Sequence, residues 1–333
     1  MLKNCSRFSQ LFFNAFTIIN LLTYQVINCN LGLCLPSKLL GYNSPFRSTF
    51  MINTNYLFED PEELNPSALP DYSTLDFVSN GSHIYGEIMW PSSEVTGPKN
   101  QGRPCVIMLH GFPGTARNDD ISHALCRSGC VVLVPHHRGA WGSQGKYLIS
   151  NCIEDAYNLA EYAHSESFTE KYNVNPNQIF LLGHSIGANS SLNAGKKLDW
   201  LAGIIMLTPY DPTRYLNCAK EVYLRSLLEE GRILHSDGID VIYDDVLRRR
   251  EEISHPNAFE DVKEKNILVF AGKYDSVSPI EEMILPLWNK LAAHKTSAVQ
   301  KLVEYPTEHG LIGRRISMIR EIAEFIKEVT EKL

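Results

Sequence analysis

Short, unbroken apolar runs recur along most of this chain, and each is followed by a polar turn and then a helical pattern. Three of them are residues 104–110 ("PCVIMLH"), 130–136 ("CVVLVPH") and 178–184 ("QIFLLGH"). A strand that is apolar on both faces has to be covered on both faces, as in a parallel sheet between two layers of helices. The sequence therefore predicts an α/β fold with a mostly parallel sheet and helices on both faces.

Five further segments extend the predicted sheet to about eight strands. Two of them, "TLDFVS" and "HIYGEIMWP", flank the turn "NGS" and indicate a hairpin. The other three are "LAGIIMLTP", "NILVFAGKYD" and "QKLVEYP". Each is short, apolar and bounded by turn residues, which favours a strand over a helix.

One interval breaks the alternation of strands and helices. More than 50 residues separate the strand ending near Pro209 from the strand starting near Asn266, which is too long for a plain crossover. This interval contains two helical patterns, "RYLNCAKEVYLRSLLEEG" and "IDVIYDDVLRRREEI". We predict a short helical cap insert at about 211–265, within a domain that spans residues 66–333. Residues 1–65 are predicted to be a poorly ordered extension or leader.

The overall composition is that of an ordinary globular protein with a sizeable core, with 44% hydrophobic and 21% charged residues. The chain carries 31 Lys and Arg against 38 Asp and Glu, a formal net charge of −7. An acidic protein of this kind has no electrostatic reason to bind nucleic acid or anionic lipid. We therefore expect no nucleic-acid partner.

The N-terminus has the layout of a signal segment or short anchor, because Lys3 and Arg7 precede an apolar stretch over 11–27. Five polar residues interrupt that stretch: Asn14, Thr17, Asn20, Thr23 and Gln25. A stable membrane span is therefore not expected. Met51 offers a second translation start. We expect a cytoplasmic protein, with a secreted or membrane-anchored one as the alternative if residues 1–30 act as a signal.

The pattern Gly183-His184-Ser185-Ile186-Gly187 follows an apolar strand and precedes a helix of small residues, "IGANSSLNAG". A strand-to-helix elbow that presents a reactive serine needs small neighbours, because the backbone of the serine is strained there. The alternative is an ordinary turn with a capping serine. The context favours Ser185 as a nucleophile.

Two side chains at later strand ends could activate this serine. Asp275 follows a buried strand and His309 follows the last strand, and the carboxyl ends of parallel strands meet at one edge of a sheet. The order Ser, Asp, His is known for serine triads on α/β sheets. Glu308 is a weaker rival for the acid, since a neighbour in sequence rarely orients its own histidine.

The segment "HGFPG" at 110–114 places glycines at the end of an earlier strand. The backbone N–H of Phe112, with that of Ile186, could form an oxyanion hole; the alternative is a Gly/Pro turn with no role. His110 is predicted to be a structural hydrogen-bonding residue. Adjacent His136 and His137 point in different directions from an extended chain, and no carboxylate pair stands at ligand spacing nearby, so we predict no metal. Acyl transfer to water by a serine requires no cofactor, and we expect none.

Taken together, these motifs resemble the α/β-hydrolase superfamily, and within it the catalytic domains of prolyl oligopeptidase and acylaminoacyl-peptidase and related small esterases. The motifs are "HGFPG", "HHRGAWGSQGKY" followed by the "NCIEDA" helix, "GHSIG", "AGKYDSVSP" and "EHG". The resemblance spans about 70–333. It implies a triad and an oxyanion hole formed by the residues already singled out: Ser185, Asp275 and His309 for the triad, Phe112 and Ile186 for the hole.

We expect hydrolysis of a carboxylic ester through an acyl-enzyme on Ser185, because a shallow capped pocket suits a small acyl substrate. Cleavage of a short peptide or amide is the second interpretation. It ranks lower because the sequence shows no segment resembling the β-propeller that screens peptides in the related peptidases. A non-catalytic protein that binds a small ligand on the same fold is the third.

Overall fold

The computed structural model describes residues 52–60, 64, 66–67, 69–92 and 102–333. The strands in these ranges form one sheet of eight, in the order β1-β2-β4-β3-β5-β6-β7-β8. They are β1 (Asp71–Ser79), β2 (Ser82–Trp90), β3 (Arg103–Leu109), β4 (Val131–Pro135), β5 (Val174–His184), β6 (Gly203–Leu207), β7 (Ile267–Gly272) and β8 (Gln300–Tyr305). β1 and β2 pair antiparallel with their neighbours, and β3 to β8 run parallel. The predicted mostly parallel sheet is confirmed.

Ten α-helices lie in the described ranges: α1 (Asp119–Ser128), α2 (Ile149–His164), α3 (Glu166–Tyr172), α4 (Ile186–Gly195), α5 (Glu221–Glu229), α6 (Ile239–Arg248), α7 (Arg250–Ile253), α8 (Phe259–Val262), α9 (Leu285–Ala293) and α10 (Arg315–Lys332). Short 3-10 helices cover Thr54–Leu57, Pro212–Tyr215, Glu230–Ile233, His255–Ala258 and Ile312–Arg314, and a π-helical turn covers Ile280–Ile284. No helix in these ranges has both the length and the apolar character needed to span a membrane.

The central strands β3, β4, β6 and β7 are buried along their whole length, as their continuous apolar runs predict. Along β3, Cys105 and Ile107 point into a core that includes α2 and α4, while Val106 and Met108 point into a core that includes α1 and α10. Successive side chains of a strand face opposite sides of a sheet. An unbroken apolar strand therefore supplies both layers, and the predicted helices on both faces are confirmed.

The connection between β6 and β7 holds α5 to α8 and three of the 3-10 helices. Its buried residues, among them Leu224 and Ile242, join the core on the α2 and α4 side of the sheet. The first helical pattern in this connection predicts a helix from residue 214 onward, but the helix begins only at Glu221. Asn217 has φ of +51°, in the left-handed region, which a right-handed helix cannot include.

Most of the predicted N-terminal extension, residues 1–65, lies outside the described residues. Within it, Ile52 and Leu57 are buried in the core that includes α1 and α10. The backbone N–H of Asn53 donates to the carbonyl of Ser128 at 2.9 Å. Residues 52–60 therefore pack against the domain.

Candidate active site

Ser185 occupies the tight turn between the end of β5 and the start of α4. Its backbone has φ of +56° and ψ of −118°, a conformation that costs a residue with a Cβ about 1–3 kcal/mol. Hydrogen bonds on both sides hold it there: its N–H donates to the Leu207 carbonyl at 2.9 Å, and its carbonyl accepts from the Tyr210 N–H at 3.2 Å. The residue is only 4% exposed. The surrounding sheet therefore enforces a strained serine at the predicted strand-to-helix turn.

The two glycines of the G-x-S-x-G pattern are required by close backbone approaches. A Cβ on Gly183 would lie 2.1 Å from the carbonyl oxygen of Gly187, and a Cβ on Gly187 would lie 2.2 Å from the carbonyl oxygen of Leu109. Real Cβ atoms essentially never come closer than 3.0 Å to another heavy atom. The spacing of the motif thus reflects how tightly β5, α4 and β3 pack around Ser185.

Asp275 lies just past β7, with its side chain fully buried. One carboxylate oxygen, Oδ1, accepts the backbone N–H groups of Val277 at 2.8 Å and Ser278 at 2.7 Å. The other, Oδ2, lies 2.8 Å from Nδ1 of His309. A carboxylate acceptor requires the proton on Nδ1, which leaves Nε2 of the neutral imidazole as an acceptor. The imidazole therefore has the tautomer that a general base needs.

Glu308, the rival acid, is engaged elsewhere. Its carboxylate accepts the Thr307 hydroxyl at 2.5 Å and the Ile312 backbone N–H at 2.8 Å. The hydrogen bond from the Thr307 hydroxyl, followed by that from the Ile312 N–H, lowers the pKa of Glu308. The structure pairs His309 with Asp275, as the sequence predicts, and not with its neighbour.

Ser185 Oγ and His309 Nε2, both in the described part of the chain, do not form a hydrogen bond with each other in this structure. Their loops nevertheless adjoin. His184, the residue before the serine, lies with Nε2 3.1 Å from the His309 carbonyl oxygen. Catalytic hydrogen bonds are often long in ligand-free enzymes and shorten when substrate binds.

The "HGFPG" segment lies directly beside the serine. A Cβ on Gly111 would be 3.1 Å from Ser185 Cβ, so the loop backbone passes within contact distance of the Ser185 side chain. Within the described ranges, the backbone N–H groups of Phe112 and Ile186 donate to no protein acceptor. The Ile186 N–H is at the first turn of α4, where helical N–H groups have no intrahelical partner and carry partial positive charge.

His110 fixes the conformation of this loop from beneath. Its Nδ1 donates to the Gly111 carbonyl at 2.7 Å, and its Nε2 accepts the backbone N–H of His137 at 3.1 Å. Burial lowers the pKa of His110 to about 4, so the ring is neutral, as the accepting Nε2 requires. His136 packs on the same ring. In the described ranges no group of three or more His, Cys, Asp and Glu side chains is arranged for a metal ion.

The β6–β7 connection contacts the loop at 110–114 through the ring of Phe112. The Phe112 ring packs edge-on against Tyr147, with centroids 5.4 Å apart. A Cβ on Gly231 would lie 2.2 Å from Cζ of that ring, so the 3-10 helix containing Gly231 is in direct contact with it. The insert therefore touches the loop that carries one of the two candidate oxyanion donors.

A family model described as alpha/beta hydrolase fold matches residues 106–308, more than half of the chain. The chain belongs to this alpha/beta-hydrolase family. The matched range includes the "HGFPG" segment, the turn at Ser185 and Asp275, and it ends one residue before His309. The protein is thus a hydrolase of the α/β-hydrolase fold, which agrees with the resemblance drawn from the motifs.

Solved structures share the fold at low sequence identity. Brefeldin A esterase, described as a bacterial homologue of human hormone-sensitive lipase, has a TM-score of 0.60 and 16% identity, covering 84% of this chain and 83% of its own. An esterase of Pyrococcus furiosus has a TM-score of 0.56 and 17% identity, covering 89% and 98%. A hyperthermophilic esterase of the archaeon Pyrobaculum calidifontis has a TM-score of 0.55 and 17% identity, covering 82% and 86%.

Among curated proteins, pancreatic lipase-related protein 2 of Cavia porcellus is 27% identical over 158 residues, which are 44% of this alpha/beta hydrolase and 33% of the relative. The match therefore spans about a third of that relative's length.

Two residues at this edge of the sheet have roles that sequence reasoning did not assign. By pattern, His184 is a variable position of the serine motif, and Thr208 lies near the end of an apolar strand. Both donate hydrogen bonds to the carbonyl of His309. A backbone carbonyl has no sequence signature, so nothing in the motifs indicated this contact.

Proposed function

We propose that this protein is a serine carboxylesterase in which Ser185 is the nucleophile, His309 the general base and Asp275 the residue that orients the base. The observation that carries the proposal is the 2.8 Å hydrogen bond between His309 Nδ1 and Asp275 Oδ2, two side chains 34 residues apart in sequence. This pair lies at the sheet edge where the strained elbow holds Ser185. Nucleophile, base and orienting acid are the components that acyl transfer by serine requires.

The reaction proposed for this site begins with attack of Ser185 Oγ on the ester carbonyl, while Nε2 of His309 takes the hydroxyl proton. The imidazolium that forms is stabilised by the buried carboxylate of Asp275. The tetrahedral intermediate collapses as His309 gives the proton to the departing alcohol. Water then attacks the acyl-enzyme, again through His309, and releases the acid and free Ser185.

The developing oxyanion is assigned to the backbone N–H groups of Phe112 and Ile186. Neither N–H donates to an acceptor in the part of the chain that the structure describes, and Gly111, next to Phe112, lies beside Ser185. Each donor of this kind contributes about 3 kcal/mol of transition-state stabilisation. The hydrogen bonds of His110 support the role by holding the loop in one conformation.

The proposed substrates are small carboxylic esters, with residues 211–265 as a cap over the acyl site. The contact of Gly231 with the Phe112 ring supports such a cap. The solved neighbours that carry the name esterase, and the lipase-related name of the curated relative, add support by analogy.

A substrate panel tests this proposal. p-Nitrophenyl esters of increasing acyl length and aminoacyl-naphthylamides would be assayed with the wild-type protein and with Ser185→Ala. We expect turnover of short-chain esters, little turnover of the amides, and loss of ester turnover in the variant. Turnover of the amides alone would favour the peptidase interpretation. No turnover, with no labelling of Ser185 by a fluorophosphonate, would favour a ligand-binding protein.

A further inference from the structure

The backbone carbonyl of His309 accepts two side-chain hydrogen bonds. The Thr208 hydroxyl donates at 2.8 Å, and Nε2 of His184 lies 3.1 Å away. Because a carbonyl can only accept, the His184 nitrogen must carry the proton. The residue that carries the base is therefore held at both ends, with its side chain bonded to Asp275 and its main chain to these two donors.

The two donors come from the parts of the sheet nearest the serine. His184 is the last residue of β5 and directly precedes Ser185, while Thr208 directly follows β6. The Thr208 backbone has φ of +40° and the residue is fully buried. A β-branched residue rarely adopts a positive φ. Its backbone N–H bonds the Phe270 carbonyl of β7 at 2.9 Å, which keeps the residue in this conformation.

His184 also touches the third component of the site. A Cβ on Gly111 would lie 3.2 Å from Nδ1 of His184, so the ring fits between the oxyanion loop and the His309 loop. Its ring centroid is 5.0 Å from that of His309. Burial is the main factor that lowers the pKa of His184 to about 4. A neutral ring at this distance adds no positive charge beside an imidazolium on His309.

We propose that His184 and Thr208 are positioning residues that set the place of the His309 imidazole relative to Ser185 by holding the His309 carbonyl. This inference rests on the proposed function, since it assigns His309 as the base. The G-x-S-x-G pattern allows any residue at position 184, and the proposal gives the histidine found there a specific role. Neither residue is assigned to contact substrate.

Two matched pairs of variants test the role. Thr208→Val keeps the shape but removes the hydroxyl, whereas Thr208→Ser keeps a donor. His184→Leu removes the ring donor, whereas the terminal amide of His184→Gln can reach the place of Nε2. Each variant would be assayed for kcat and KM on a short p-nitrophenyl ester and for the rate at which a fluorophosphonate labels Ser185. Labelling to completion counts the molecules with a reactive Ser185, and dividing the activity by this number corrects kcat for any unfolded fraction.

We expect Thr208→Val and His184→Leu each to lower kcat per labelled site by about tenfold, because a misplacement of 1 Å costs up to 10² in rate. KM should change little, since neither residue touches substrate. Thr208→Ser and His184→Gln should stay within about threefold of wild type. The labelling rate should fall in parallel with kcat, because attack by Ser185 also needs the base.

The inference is overturned if Thr208→Val and His184→Leu keep the wild-type kcat per labelled site. It is also overturned if Thr208→Ser and His184→Gln lower kcat as much as the donor-free variants do. Should Thr208→Val not fold, the His184 pair carries the same test. Ser185→Ala and His309→Gln, assayed alongside, separate this outcome from failure of the proposed function. If those two variants are inactive while the four positioning variants match wild type, the esterase proposal stands and the positioning role does not.

Discussion

Replacing Asp275 by asparagine is the most informative change to the proposed triad. Two backbone N–H groups, those of Val277 and Ser278, point at Oδ1 at 2.8 and 2.7 Å. The new amide must keep its oxygen toward these donors, because turning its NH2 group toward them would leave two buried donors unpaired, at about 1–3 kcal/mol each. The NH2 group is then forced to face Nδ1 of His309.

This arrangement selects the wrong tautomer of the base. With an N–H donor opposite, Nδ1 must accept and the proton moves to Nε2, so the imidazole can no longer take the proton of Ser185. Restoring the correct tautomer would leave both donors unpaired, a penalty of about 2–6 kcal/mol in total, which corresponds to a factor of roughly 30 to 10⁴ in rate. Loss of the carboxylate that stabilises the imidazolium lowers the rate further. We therefore expect Asp275→Asn to lower kcat by about 10³–10⁴.

The assay is ester hydrolysis per folded molecule, with thermal unfolding and circular dichroism to show that the variant folds. Glu308→Gln is the matched control, since the Glu308 carboxylate bonds Thr307 and Ile312 and not the imidazole. It should stay within about threefold of wild type. An Asp275→Asn protein within tenfold of wild type, or an equal loss in Glu308→Gln, would refute the assignment of the acid.

Three further predictions concern the scaffold around the site. Gly183→Ala should lower the free energy of unfolding by about 3 kcal/mol in chemical denaturation, because its methyl group would collide with the Gly187 carbonyl oxygen; an unchanged midpoint would contradict the close packing. Asp155→Asn should lower the free energy of unfolding by about 3–5 kcal/mol in the same denaturation assay, because the buried Asp155 carboxylate pairs with Nε of Arg138 at 2.6 Å. A loss below 1 kcal/mol would contradict a stabilising role for this ion pair. Burial lowers the pKa of His110 from 6.5 to about 4, so between those values the unfolded chain binds a proton that the folded one does not. His110 should therefore contribute a loss of ~3 kcal/mol of stability as pH drops from 6.5 to 4, and His110→Gln should show a shallower fall than wild type in chemical denaturation at the two pH values; equal slopes would contradict the neutral ring.

The fold and the outline of the site could be read from the sequence because both depend on local patterns. The central strands β3, β4, β6 and β7 follow unbroken apolar runs, and such runs are stable only when they are buried between two helical layers. The elbow could be read because Gly183 and Gly187 have to be small where backbones nearly touch. The pairing of Asp275 with His309 followed from their places at strand ends.

Features that depend on backbone atoms or on distant contacts could not be read in this way. Thr208 and His184 donate hydrogen bonds to the carbonyl of His309, a residue more than 100 positions away. The acceptor is a backbone oxygen, which every residue has, so no sequence pattern indicates it. The late start of the helix at Glu221 depends on the left-handed conformation of Asn217. β5 begins at Val174, four residues before its apolar run, because that end pairs with Arg103 of β3 across a register shift.

The central claim, that Ser185 is a nucleophile activated by His309, is tested most directly by mass spectrometry of the protein after reaction with a fluorophosphonate. The account predicts one adduct per chain, located on the peptide that contains Ser185, with no adduct in Ser185→Ala and much slower labelling in His309→Gln. An adduct on another residue, or ester turnover that survives in Ser185→Ala, would contradict it.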